Sequence, residues 1–98
     1  MTADLISTAK DMSRALSMIA DLLGNEQFMR RVIEIENNSH ERELAKPNPH
    51  SYFRNHGIEL PQEMEVTIGS FSACIKIRGD VYCMVINKNG IFFTKNGV

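Results

Sequence analysis

Leu5, Ala9, Met12, Leu16, Ile19 and Leu23 recur at alternating steps of four and three, a spacing that puts them on one side of a helix. Ala15, Ala20 and Leu22 broaden the stripe, while Lys10, Asp11, Arg14 and Asp21 lie off it. It covers fewer than three heptads, which favours packing within the chain over a coiled coil. Gly24 ends the helix and Asn25 can cap a second one from about Glu26, with Phe28, Val32 and Ile35 as its apolar row and Met29 and Ile33 beside them. So short a link predicts an antiparallel helical hairpin. From Asn37 to Lys46 the chain is polar almost all round. That reads as a solvated helix end and connector, although a contact surface or lid shares this composition.

A short third helix has both ends marked. Asn48 can accept a backbone N–H, Pro49 suits a first position that needs none, and Gly57 can close the last turn left-handed. His56 falls in that final turn, and Pro61 biases Leu60 towards an extended backbone. The chain then turns to strands. Two-residue loops at Gly69-Ser70, Gly79-Asp80 and Asn89-Gly90 suit primed hairpin turns and pair four strands. In that register Ile68 opposes Phe71, Val66 opposes Ala73, Met64 opposes Ile75, Ile77 opposes Tyr82, Ile75 opposes Met84, and Ile86 opposes Phe93. All fall on one face. Glu65, Thr67, Ser72, Lys76, Arg78, Asn87 and Thr94 fall on the other, as in an antiparallel sheet wetted on one side. The expected fold is α+β: a single domain over 1–98, with a helical part (1–57) covering one face of a four-stranded meander (62–95). The terminal Lys95-Asn96-Gly97-Val98 is expected to fray.

Composition narrows the function. Ninety-eight residues make one domain, and a formal charge of −1 lacks the cationic excess that non-specific nucleic-acid binding requires. No apolar run approaches a membrane span, and Asp4 stands where a signal peptide would carry basic residues, so the expectation is a cytoplasmic protein without a Sec-type signal. Two cysteines make neither a disulfide framework nor a zinc site. In the register above, Cys74 faces Val85 and Cys83 faces Lys76. The thiols are then diagonal neighbours on the outer face, where a bridge would be strained, and free thiols are expected, with a redox pair as the alternative.

Catalytic groups are sparse. No Cys/His pair has a local spacing that sets a base on a nucleophile, and His50 and His56, six apart, do not share a helix face as metal ligands would. No cofactor is expected. Arg78-Gly79-Asp80 spells an adhesion tripeptide, but Gly and Asp are also what a tight turn requires. Glu59, Glu63 and Glu65 lie on a linker and an outward strand face with no evident pocket. Val81, Cys83 and Val85, between charged neighbours on the outer face, are the best candidate contact surface.

Asn25-Glu26-Gln27-Phe28 leading into a helix, Asn48-Pro49, Phe53-Arg54-Asn55-His56-Gly57-Ile58-Glu59-Leu60-Pro61 and Met64-Glu65-Val66-Thr67-Ile68 together resemble the leader region of nitrile-hydratase-like precursors of ribosomally made bacterial peptides. The resemblance spans roughly residues 25–68 and rests on short motifs. It implies docking of modifying enzymes on the helix from Asn48 to Gly57 and the strand from Met64 to Ile68, which puts forward Tyr52, Phe53, Arg54, Ile58 and Leu60. It also implies export after cleavage of a C-terminal core peptide. However, no Gly-Gly or Gly-Ala site follows Ile68, and the metal-binding cysteine cluster of the hydratase α subunit is missing. The expected function is therefore a small non-enzymatic module, a monomer or weak homodimer that binds a protein partner. The alternatives are a true precursor, or a small enzyme or redox protein using Cys74 and Cys83.

Overall fold

Asparagine side chains open three of the helices in the computed structural model, which describes residues 2–98. Helix α1 spans Thr2–Leu23. Asn25 then accepts from the Phe28 N–H (3.2 Å) and starts α2, Glu26–Asn37. Asn38, itself extended, accepts from His40 and Glu41 N–H and starts α3, Ser39–Ala45. Asn48 accepts from the Ser51 N–H (3.1 Å) and starts α4, Pro49–Asn55. Such caps satisfy N–H groups that have no partner in the first turn. The polar stretch expected to be a connector is thus a helix of its own, because Asn38 breaks from α2 and recaps at once. As expected, α4 closes at Gly57, whose φ is +80°.

The buried face of α1 differs from expectation. Ala15, Ile19 and Leu22 are buried, whereas Leu5 (72%) and Leu16 (41%) are exposed. The helix lies over the middle of the sheet with the Ala15 side inward. The small side chain permits close approach there, and the far edge of the apolar stripe is left in solvent.

The sheet is an antiparallel meander in the order β1 (Glu65–Thr67), β2 (Phe71–Ile77), β3 (Asp80–Asn87), β4 (Gly90–Lys95). The β1–β2 register is the expected one, with Val66 opposite Ala73. The next two hairpins are each shifted by two residues. Ile75 opposes Tyr82 and Ala73 opposes Met84, and beyond them Ile86 opposes Ile91 and Met84 opposes Phe93. The β2–β3 loop is Arg78-Gly79, with φ of +50° and +88°, the double positive that a type I′ turn requires. The β3–β4 loop is Lys88-Asn89. A shift of two leaves every side chain on its face, so the apolar face is unchanged while its partners are not.

The thiol expectation is corrected as a result. Cys74 lies directly opposite Cys83, and the two form a disulfide with their Cα atoms 4.1 Å apart. The chain end is corrected as well. Asn96 and Gly97 both have positive φ, the backbones of Lys95 and Val98 exchange two hydrogen bonds (3.3 and 3.2 Å), and Asn96 joins β3 through its N–H to the Val81 carbonyl (2.7 Å) and its Oδ1 from the Val81 N–H (2.8 Å). An Asn-Gly turn folds the end back instead of letting it fray.

The core lies between helices and sheet. Phe28 of α2 is stacked at 5.3 Å on Phe53 of α4 and meets Phe71 of β2 edge-on at 5.8 Å. Glu36, on the last turn of α2, accepts the Phe71 N–H (3.1 Å) and ties that helix to the start of β2.

Candidate functional site

Two places are candidates for function: a cleft at α3–α4 and the open edge of the sheet at β4. In the cleft, of about 350 Å³, the Tyr52 hydroxyl donates to Glu41 Oε2 (2.6 Å) and accepts from Arg31 Nη1 (3.2 Å). His56 Nδ1 lies 2.9 Å from the Tyr52 carbonyl. A carbonyl only accepts, so Nδ1 carries the proton, and in the neutral ring Nε2 is left as acceptor for Arg31 Nη1 at 3.2 Å. Burial first, then the hydrogen bond to Glu41, push the Tyr52 phenol above its ordinary 10.0, with Arg31 opposing. Near neutrality this phenol is protonated and serves as a hydrogen-bond donor to Glu41. Arg31, Glu41, Tyr52 and His56 engage one another, and the cluster works as a clasp joining α2, α3 and α4. His50 is also structural: its Nε2 donates to the Met64 carbonyl (2.7 Å) and fixes the approach to β1.

The residues put forward for docking separate into two groups. Phe53, Ile58 and Leu60 are buried, and Tyr52 is 6% exposed. They belong to the core and the clasp, where the apolar side of α4 and the segment that follows it pack beneath the other helices and the sheet. Arg54 is exposed but paired with Glu59 (3.0 Å). Val81, Cys83 and Val85 are half-buried on the outer face, where Cys83 is tied to Cys74. The charged ends of Arg78-Gly79-Asp80 are occupied too: Arg78 binds Asp11 at 2.8 Å, and Asp80 accepts from Asn96 Nδ2 at 3.0 Å.

Strand β4 was not foreseen as a contact surface. Ile91 (51%), Phe92 (46%) and Phe93 (38%) are all exposed. Ile91 and Phe93 share the helix-facing side with Ile86 and Met84, while Phe92 pairs with Val85 on the outer side. Helix α1 lies over β2 and β3 and α4 against β1, so β4 sits at the margin of the cover. Beside it, a cleft of about 500 Å³ between α2 and the end of β3 is lined by Ile33, Glu36, Ile86 and Lys88. The sequence carries Ile-Phe-Phe there, but β3 has a longer apolar run, Val81 to Ile86, so the run alone does not single out β4. Among the described residues no cluster of three or more His, Cys, Asp or Glu could hold a metal ion, and no helix is long and apolar enough to cross a membrane. In comparisons with protein-family models, curated proteins and solved structures, nothing matched this chain.

Proposed function

We propose that the protein is a small non-enzymatic protein-binding module that takes its partner along β4. One observation carries the reading: a six-residue edge strand, Gly90–Lys95, that keeps three adjacent large apolar side chains exposed. Natural sheets blunt such edges with proline, charge or cover when they are meant to stay unpaired, and an extended segment added there gains main-chain hydrogen bonds and side-chain contacts together. The opposite edge is blunted, since β1 has three residues and follows Pro61 by a few positions.

The resemblance to nitrile-hydratase-like leaders fits a binding role better than that of a precursor. Phe71, Ala73, Ile75, Ile77, Tyr82, Met84 and Ile86, which follow the leader-like segment, supply much of the core, so cutting after Ile68 would dismantle the domain. The disulfide supports an oxidising setting, since cytosolic thiols are kept reduced. That favours export over the cytoplasmic location expected from the sequence.

The test is a photo-crosslinking side chain placed at Phe92 and, as a control, at Arg54, in the native host, with adducts identified by mass. A defined polypeptide adduct at position 92 and none at 54 is expected. No adduct at 92, or equal adducts at both positions, would remove β4 as the docking edge.

A further inference from the structure

We infer that the partner taken up along β4 is a second copy of this chain, paired antiparallel about a two-fold axis through Phe92 so that two four-stranded sheets become one of eight. This rests on the docking reading above and adds the identity and register of what docks.

The argument is one of backbone bookkeeping. Backbone groups along a strand point alternately to one neighbour and the other. The Asn87–Gly90 pair closes the β3–β4 loop, and Asn96 donates to Val81 of β3. The even-numbered residues from Gly90 to Asn96 therefore bond to β3, while Ile91, Phe93 and Lys95 face the open edge. Lys95 is already served there, by Val98. Among the described residues, what remains open is the N–H and C=O of Ile91 and of Phe93.

A second β4 centred on Phe92 sets Ile91 opposite Phe93 of the second copy, and Phe93 opposite its Ile91. All four groups are then satisfied on each copy. The side chains agree with this register. Ile91 meets Phe93 on the helix-facing side, Phe92 meets Phe92 on the outer side with Val85 behind each, and Gly90 stands opposite Thr94. Lys88 and Lys95 fall outside the paired segment, so no like charges oppose one another.

Neighbouring registers do worse. Centring on Phe93 sets Ile91 against Lys95, whose edge groups Val98 has taken. Centring on Ile91 leaves Phe93 to the loop residue Asn89. A slip of one residue sets helix-facing side chains against outward ones. At roughly half exposure the two phenylalanines and the isoleucine offer on the order of 300 Å² per copy. Backbone and flanking atoms bring the two-sided total to about 1,000 Å², the low end for a specific interface, so a weak, reversible dimer is expected.

Position 92 is its own partner on the axis, and this gives the test. Sedimentation velocity on the full oxidised chain is run from about 1 μM to about 1 mM for the parent, Phe92→Lys, Phe92→Glu and an equimolar mixture of the two variants, with circular dichroism confirming that each is folded. The parent should pass from one chain to two. Each variant alone should dimerise about tenfold more weakly or worse, since like charges then meet on the axis, and the mixture should restore the dimer. A parent that stays monomeric throughout overturns the inference. So do single variants that dimerise undiminished, or a mixture that fails to recover. A monomeric parent that still crosslinks through position 92 to a different polypeptide would overturn the second copy alone and leave the docking edge standing, whereas loss of both removes both.

Discussion

Cys74 of β2 stands directly across from Cys83 of β3, and their bond staples the two strands on the face turned away from the helices. Both residues are half-buried, and the loop they close includes the Arg78-Gly79 turn. Closing even a short loop restricts the unfolded chain.

Alkylation under native conditions should therefore leave the intact mass unchanged, and reduction should admit two alkyl groups. Replacing both cysteines by serine should lower unfolding stability by roughly 2 to 3 kcal/mol in urea titration while keeping the helical and strand signal. Two alkyl groups taken up without reductant would mean that the bridge is absent.

Glu36 accepts the Phe71 N–H in a partly buried position. Glu36→Ala leaves that N–H without a partner and should cost about 1 to 3 kcal/mol. Glu36→Gln keeps an acceptor and should cost markedly less. Equal losses in the two variants would show that the carboxylate acts by charge and not as a cap on β2.

Both tyrosines hold their protons above the ordinary 10.0: Tyr52 chiefly by burial and then through Glu41, Tyr82 chiefly by burial and then through Asp80 and Asp11. A pKa raised in the folded state gives stability that is complete below the unfolded value and is lost as pH climbs through the folded one. Ultraviolet titration should accordingly show both tyrosines ionising above the ordinary value, with stability falling as they do. Tyrosine titrating normally in a folded protein would contradict the burial of both rings.

The Tyr82 hydroxyl is buried and, among the described residues, without a hydrogen-bond partner. Tyr82→Phe removes a polar atom that gains nothing from its surroundings, so its melting temperature should match or exceed the parent's. A clear drop would mean that a partner for the hydroxyl exists in solution.

Ala15 is fully buried and Leu16 is 41% exposed. Leu16→Gln should change stability by no more than about 0.5 kcal/mol, whereas Ala15→Leu should cost about 1 to 3 kcal/mol by overfilling the contact beneath α1. The opposite ranking would restore the stripe through Leu16 as the buried face.

Much of this architecture is legible in the residues, because the signals are local. Asn25 and Asn48 cap, Pro49 starts and Gly57 stops helices through the backbone of their immediate neighbours, and alternation from Met64 onward assigns each side chain to a face. Alternation has a period of two, however, and cannot tell one register from another two residues away. That choice passed to the turns, where Arg78-Gly79 and Lys88-Asn89 form the loops instead of the Gly-Asp and Asn-Gly pairs. The shift brought Cys74 and Cys83 face to face, which no spacing along the chain announces. Only tertiary packing decided which side of α1 meets the sheet, that Phe53, Ile58 and Leu60 are spent on the core, and that Ile91, Phe92 and Phe93 lie beyond the helical cover. A residue's polarity fixes whether burial favours it, but how far the neighbouring elements extend decides whether it is buried.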